Sequence, residues 1–271
     1  MSRLKDKTAA VIGTGNMGSA IIKGLSENAE LKKIIAFDAD PGRLESLTGT
    51  KNIETAASAE EAARASDIII LGVKPPVISS LLKDINSALQ NQIVISVAAG
   101  VTLQTMKEVT PGTIKLIRAM PNTPALVQQG MTVISPDTSC SDDDITMARE
   151  IFSATGRVLV MAESLMDAVT GVSGSGPAYV FTFIQAMADG AVKMGIPRQQ
   201  ALELAAQTVK GAAELVIQSG ENPLALRDMV TSPGGTTIEA VHVLEKSGFS
   251  GIVMDAIEKA ANKSKMLGSK K

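Results

Sequence analysis

Two stretches combine glycines with neighbouring N–H or hydroxyl donors in a way that can hold an anion. The segment Thr231–Thr237 reads T-S-P-G-G-T-T and runs into Ile238, Val241, Val243 and Leu244 at helical spacing. Pro233 fixes φ while Gly234 and Gly235 allow a close backbone path, so Thr236 and Thr237 stand where a helix begins. The first N–H groups of a helix lack intrahelical partners and lie at the positive end of its dipole. A glycine-rich approach to them suits a small carboxylate, with two threonine hydroxyls at the rim as neutral donors. The plain alternative is an N-cap on a glycine-rich turn.

The second stretch is Gly13-Thr14-Gly15-Asn16-Met17-Gly18, between the apolar run Thr8–Ile12 and a helical pattern of Ala20, Ile21, Ile22 and Leu25. Glycines at this spacing between a strand and a helix form a dinucleotide fingerprint. Gly13 makes the tight turn, Gly15 admits a pyrophosphate to the backbone, and Gly18 lets helix and strand pack closely. A second strand, Ile34–Phe37, ends in Asp38, about 20 positions beyond Gly18. A carboxylate there accepts hydrogen bonds from an adenosine ribose and repels a 2′-phosphate. The cofactor is therefore read as NADH or NADPH, with Asp38 tilting toward NADH. The structural alternative is that Asp38, with Asp40, caps a helix after Pro41.

These turns need a scaffold, and the chain supplies alternating elements. Asp67–Gly72 and Gln92–Ser96 read as buried strands around a helical stretch, Pro76–Leu89. Thr113–Arg118 and Met131–Ser135 follow as strands, Asp142–Thr155 as a helix and Gly156–Val160 as a last strand. This alternation predicts an α/β fold with a doubly wound parallel sheet of Rossmann type, its late hairpin-like strands antiparallel at one edge. Ligands of such sheets bind outside the carboxyl ends of the strands. At those ends stand Gly72-Val73-Lys74-Pro75, Ala98-Ala99-Gly100-Val101 and Met120-Pro121-Asn122-Thr123-Pro124. Pro75 and Pro121 stiffen turns, and Ala98, Ala99 and Gly100 leave room for a flat ring. Lys74 either touches the cofactor or projects into solvent; Asn122 either orients a carboxamide or caps its turn. Together these residues outline a nicotinamide pocket.

After Met161 alanine-rich helical stretches replace the strands, which divides the chain into a dinucleotide-binding domain over 1–162 and a helical domain over 163–271. Glu163–Thr170 opens that region, Gly171–Pro177 interrupts it, and a helix starts at Pro177. The helix Ala178–Met194 is apolar on nearly every side, including Val180, Phe181, Phe183 and Met187, which predicts burial. So small a helical region has little interior, and the burial is expected against a second subunit. In the next helix, Pro197–Ile217, Ala201, Ala205, Gly211 and Ala212 let helices approach closely. The chain reads as an obligate homo-oligomer built through this half; the alternative is that one chain buries these faces alone. The turns Gly174–Pro177 and Ser232–Thr237 both precede helix starts and both offer N–H groups, outlining a small, neutral site. Neither holds a histidine, and His242 reads as a surface or packing residue. Hydride transfer to an alcohol carbon would want a proton shuttle there. A cyclic imine protonates readily in water, and its iminium accepts hydride with modest help.

Composition narrows the alternatives. Of 271 residues, 45% are hydrophobic and 20% charged, an ordinary soluble balance, and the net charge is −2. With no basic block before Lys270-Lys271, no tryptophan and one tyrosine, Tyr179, there is neither charge nor stacking platform for nucleic acid. The single Cys140 forms no internal disulfide, and one cysteine and one histidine are too few for a zinc site. No apolar run of ~18 residues suggests a membrane span, and the stretch Met1–Asp6 reaches a strand too early for a signal peptide. The expected location is the cytoplasm.

The motifs G-T-G-N-M-G (Gly13–Gly18), V-K-P (Val73–Pro75), R-A-M-P-N-T-P (Arg118–Pro124), G-S-G-P-A-Y (Gly174–Tyr179) and D-M-V-T-S-P-G-G-T-T (Asp228–Thr237) occur in order. In this the chain resembles the pyrroline-5-carboxylate reductases, the last enzymes of proline biosynthesis, across essentially its whole length. The resemblance implies a Rossmann domain followed by an all-α dimerisation domain exchanged between subunits, and frequently a ring of dimers. It implies reduction of a cyclic imino acid by NADH or NADPH. It further implies that the loop Ser232–Thr237 holds the substrate carboxylate through N–H groups, including those of Gly234, Gly235 and Thr236, that Thr237 hydrogen-bonds the ring nitrogen, and that Glu163 lies near the substrate, with Ser175 of the other glycine turn beside it. Two positions depart from the family pattern. Asp38 stands where many members carry serine, threonine or arginine, although Arg43 nearby can accommodate a phosphate, and Met229 stands where some carry asparagine near the cofactor. Two rival readings are a β-hydroxyacid dehydrogenase, which wants a lysine soon after the glycine turn where this chain has Tyr179 and Val180, and a dinucleotide-sensing module without turnover.

Overall fold

The computed structural model describes residues 2–47 and 52–268; Met1 and the Lys270-Lys271 pair lie outside them. The apolar runs become strands of one sheet: β1 (Thr8–Ile12), β2 (Lys33–Phe37), β3 (Ile53–Thr55), β4 (Ile68–Leu71), β5 (Ile93–Ser96), β6 (Lys115–Met120), β7 (Gly130–Pro136) and β8 (Gly156–Val160). Their order is β3-β2-β1-β4-β5-β6-β7-β8. Helices α1 (Asn16–Asn28), α2 (Ala59–Arg64), α3 (Ile78–Asp84), α4 (Leu103–Lys107) and α5 (Asp142–Ser153) cover it. One face packs Ala9, Val11, Ile68 and Ile70 against Ile21, Ile22 and Leu25 of α1 and Ile151 and Phe152 of α5. The other packs Ala10, Ile12, Ile69 and Leu71 against α2, α3 and α4. Burial on both faces explains why β1 and β4 read as unbroken apolar runs rather than alternating ones.

Every neighbouring pair is parallel except β6 and β7. Residues 121–129 hold only a 3-10 turn, Thr123–Val127, and so return the chain antiparallel; a parallel partner would need a crossover. The reversal therefore lies one strand inside the edge, because α5 crosses over and sets β8 parallel to β7. The strand expected over Thr113–Arg118 begins two residues later. A turn in which the Ile114 N–H donates to the Pro111 carbonyl delays it, and it runs on to Met120.

The chain after β8 differs from expectation at its start. Glu163–Leu165 is a 3-10 turn, α6 (Met166–Val169) is one helical turn, and Thr170–Gly174 widens into a π-helical turn. The glycine-rich stretch is thus hydrogen-bonded: the Ser175 N–H donates to the Thr170 carbonyl at 2.8 Å. The Ser175 N–H is therefore taken up within the turn, which leaves its hydroxyl as the group Ser175 can offer.

Helices α7 (Gly176–Lys193), α8 (Arg198–Ser219), α9 (Pro223–Met229), α10 (Thr236–Lys246) and α11 (Phe249–Gly268) complete the chain. Two compact units result, Met1–Ser175 with Lys259–Lys271, and Gly176–Glu258. In the second, Ala188 of α7 packs on Ala201 and Ala205 of α8, the small residues allowing close approach. Only that half of the small-residue stripe is used, since Gly211, Ala212 and Ala213 are exposed. The expected burial of α7 is not met within one chain: Ala188 is its single buried residue, and Phe181 is 63% exposed. Within the unit α7 meets α8 and, through Phe183, the ring of Phe249 on α11 at 5.9 Å, and these contacts leave most of its circumference uncovered.

Candidate functional site

The glycine fingerprint sits where the sheet's strand order reverses, between β1 and β4. The Gly13 N–H donates to the Phe37 carbonyl at 2.7 Å and the Gly72 N–H to the Ile12 carbonyl at 2.8 Å, so the ends of β1, β2 and β4 are tied together. Gly13 has φ +96°, and a Cβ there would lie 2.8 Å from Gly72. A Cβ on Gly18 would lie 2.0 Å from the Gly13 carbonyl oxygen, and one on Gly72 2.5 Å from the same oxygen. These three are closed by protein. Gly15 is different: its nearest neighbour would be Arg43 Nη1 at 3.7 Å, so it faces open space. That space is a cleft of about 840 Å³. Gly15 is also the N-cap of α1 and puts no side-chain acceptor on the first-turn N–H groups. A hydrogen-only wall at a helix N-terminus fits a dinucleotide pyrophosphate.

Thr14, Asn16, Met17, Asp38, Val73 and Lys74 also line this cleft. Asp38 does not cap the turn after Pro41; Asp40 does, accepting from the Gly42 N–H at 3.1 Å. Instead Asp38 Oδ2 accepts from the Thr14 N–H at 2.7 Å and the Thr14 hydroxyl at 3.1 Å, and Oδ1 accepts from the Asp40 N–H at 3.0 Å. Burial pushes its pKa up, but the Asp40 and Thr14 hydrogen bonds and the Arg43 guanidinium outweigh that and hold it below the usual value. The charge therefore persists, 3.7 Å from Arg43 Nη1. Sequence reading weighed Arg43 as a neighbour, and the structure makes it a wall. It did not find Phe37, Val77, Leu81 or Leu126, which also line the cleft; apolar residues at element ends carry no local signal of their own.

Pro75, Ala98, Ala99, Gly100 and Asn122 do not line that cleft. Gly100 has φ +77° and packs on the last turn of α11, where a Cβ would meet the Gly268 nitrogen at 3.3 Å. Of the two roles left open for Asn122, the geometry is that of a brace: Nδ2 donates to the Ser173 carbonyl at 3.0 Å and Oδ1 accepts from the Met131 N–H at 2.8 Å. Both ends of its amide are used. Glu163 follows β8, and its Oε1 accepts from the Leu103 N–H at 2.7 Å and from Arg118 Nη1 at 3.4 Å.

In the second unit the turn Ser232–Gly235 closes when the Gly235 N–H donates to the Ser232 carbonyl at 3.0 Å. That N–H is consumed, which corrects the expectation that Gly235 offers its own. Gly234 has φ +67°, and a Cβ on Gly235 would lie 2.3 Å from Ser232 Oγ. The helix expected at Thr236 begins there, with Gly235 as N-cap and no side-chain cap hydrogen bond. The Thr236 and Thr237 N–H groups thus start an uncapped helix. His242 is exposed. Among the described residues no group of three His, Cys, Asp or Glu could hold a metal, and no helix is long and apolar enough to cross a membrane.

Residues 163–267 match the family described as pyrroline-5-carboxylate reductase dimerisation, and residues 8–100 match NADP oxidoreductase, coenzyme F420-dependent. The pyrroline-5-carboxylate reductase of Escherichia coli (strain K12) is 46% identical over 265 residues, 97% of this chain and 98% of that one. A solved pyrroline-5-carboxylate reductase from Coxiella burnetii superposes with a TM-score of 0.93 at 30% identity, covering 98% of this chain and 100% of the other. The Plasmodium falciparum pyrroline carboxylate reductase with NADP bound gives 0.87 at 33%, with 98% and 100% covered.

Proposed function

The chain belongs to the pyrroline-5-carboxylate reductase family, and from that membership we propose how its residues divide the work. The reaction is reduction of 1-pyrroline-5-carboxylate to L-proline, the last step of proline biosynthesis, with NAD(P)H as reductant. The reduced nicotinamide, when bound, supplies the hydride.

Residues 1–162 hold the dinucleotide. The first-turn N–H groups of α1 and the open face of Gly15 receive the pyrophosphate, with Thr14, Asn16, Met17 and Gly18 shaping the loop. Val73, Lys74 and Pro75 after β4 and the Ala98–Gly100 turn after β5 flank the nicotinamide, and Asn122 supports that side. Asp38 meets the adenosine ribose and tilts the preference toward NADH. Arg43, paired with Asp38 at 3.7 Å, softens the penalty on a 2′-phosphate, so NADPH is used as well.

Residues 163–271 hold the substrate and the partner subunit. The Thr236 and Thr237 N–H groups, with Gly234 and Ser232 shaping their approach, take the carboxylate. Thr237 orients the ring nitrogen, with Ser175 and Glu163 beside the substrate. An alcohol has too high a pKa to be a strong acid, so water is the final proton donor to the nitrogen and Thr237 relays. Copies associate through the helices whose apolar faces the single chain leaves exposed, as dimers that join into rings. The observation that carries the assignment is the open Gly15 face at the switch point within a chain related to these reductases from end to end. Loss of nicotinamide absorbance on adding pyrroline-5-carboxylate, run in parallel with NADH and NADPH, tests it. Oxidation with either dinucleotide supports it, and binding without oxidation overturns it.

A further inference from the structure

Arg118 lies inside the sheet, between Ser96 of β5 and Ser135 of β7. Its side chain is only 6% exposed. A guanidinium in such a place is costly without a counter-charge. The counter-charge is Glu163, 31% exposed, whose Oε1 lies 3.4 Å from Arg118 Nη1. Arginine usually grips a carboxylate with two parallel hydrogen bonds, one to each oxygen. Here both donors, Arg118 Nη1 and the Leu103 N–H, converge on Oε1. Oε2 has no hydrogen-bond or ion-pair partner among the described residues. Leu103 begins the helix after β5 and Arg118 belongs to β6, so Glu163 is pinned across two neighbouring strand ends. This is the carboxyl edge of the parallel sheet, where open α/β sheets take their ligands.

We propose that Arg118 is a positioning residue for the reduction, holding Glu163 by one oxygen so that the other serves the positively charged ring nitrogen of the cyclic iminium. The inference rests on the proposed assignment of the chain as a cyclic-imine reductase with Glu163 beside the substrate. Protonation of the imine nitrogen by solvent creates the cation, and hydride addition to the adjacent carbon gives the neutral amine. A carboxylate near the nitrogen favours the protonated form. Arg118 touches none of the reacting atoms and acts only through Glu163. A Glu163 pinned at one oxygen keeps its place as the substrate changes charge; one held at both oxygens would have none to offer.

The test is a double-mutant cycle of Arg118→Lys with Glu163→Gln, measured on the full chain with circular dichroism confirming the fold. Lysine keeps the buried charge but loses the planar fork. Arg118→Lys should lower kcat for pyrroline-5-carboxylate by roughly 10-fold, the loss expected for one charge-assisted contact. The KM for the dinucleotide should stay within about twofold, while calorimetry should show weaker binding of L-proline, whose ring nitrogen is cationic. In the Glu163→Gln background the same change should cost less than about twofold, since the partner it acts through has lost its charge. Arg118→Met, if it folds, should exceed the lysine variant. Equal losses in both backgrounds would overturn the proposal, as would unchanged proline binding. Absence of turnover by the unaltered chain would instead refute the functional assignment.

Discussion

Alanine at Gly15 and alanine at Gly18 should fail in different ways, although both add one methyl group to the same loop. Gly15 has φ −63° and ψ −171°, a backbone alanine adopts freely, and its nearest neighbour would be Arg43 Nη1 at 3.7 Å. Folding should lose only about 0.5–1 kcal/mol, because alanine is a poor N-cap. The methyl would instead occupy the path of the pyrophosphate and displace one charge-assisted contact, raising the dinucleotide Kd by about 10- to 100-fold. At Gly18 the new Cβ would stand 2.0 Å from the Gly13 carbonyl oxygen, where ordinary contact begins at 3.4 Å, a shortfall of 1.4 Å. A clash that close with backbone puts the cost of parting the turn from α1 at the top of the overpacking range, about 3 kcal/mol or more, and alanine's better helix propensity offsets only about 1 kcal/mol of it, which leaves a loss of about 2 kcal/mol or more. Gly18→Ala should therefore lose binding and stability together. Nicotinamide fluorescence serves as the binding assay, since the chain has no tryptophan to interfere, and thermal melting reads the fold. Gly15→Ala binding within twofold of the parent, or melting as low as Gly18→Ala, would refute the reasoning.

Thr237→Ala should lower turnover more than it weakens dinucleotide binding; equal losses in steady-state and titration measurements would remove Thr237 from the chemistry. Asp38→Ser should raise the ratio of kcat/KM for NADPH over NADH by about 10-fold, as expected for removing one charge beside a phosphate; an unchanged ratio would return Asp38 to a purely structural role on Thr14. Phe181→Glu, placing a charge on the exposed face of α7, should shift the mass from light scattering toward a single chain, and an unaltered mass would place the self-association elsewhere. Asp137 gives an acid dependence. Burial alone would raise its pKa, but Lys107, the Ser139 hydroxyl and the Thr138 and Ser139 N–H groups bring it from 3.8 down to about 2. Because the folded value is depressed, its contribution is complete above about pH 4 and disappears as pH falls through about 2. Asp137→Asn should cost about 1–2 kcal/mol at neutral pH, discounted because Lys107 is partly solvated, and denaturant melts should show the difference from the parent vanishing at low pH.

Residues whose chemistry is local were legible in the sequence. The spacing of Gly13, Gly15 and Gly18 between an apolar run and a helical pattern was enough to read the turn, although Gly13 is held by Gly72 across the sheet, and the apolar runs of β1 and β4 read as buried strands. The turn before Thr236 was legible for the same reason. Short elements were not: β3, α2 and α4 span too few residues for a period to declare itself. Pairings between distant segments were invisible as well. Nothing near Glu163 points to Leu103 or Arg118, and nothing near Asn122 points to Ser173 or Met131, because those partners are chosen by the order of the strands. The apolar circumference of α7 is plain in the sequence, and the single chain leaves most of it exposed. The amide of Gly235 was misassigned because closing a turn and binding an anion call for the same residue.

Hydride delivery to the imine carbon of pyrroline-5-carboxylate can be followed atom by atom. The most direct measurement uses reduced dinucleotide deuterated at the transferable position of the nicotinamide, with pyrroline-5-carboxylate as acceptor and mass spectrometry of the product. One deuterium per molecule of L-proline is expected, on the ring carbon beside nitrogen that does not bear the carboxylate, with one dinucleotide oxidised for each. Dinucleotide oxidation without deuterated proline, or binding of both ligands without transfer, would contradict it.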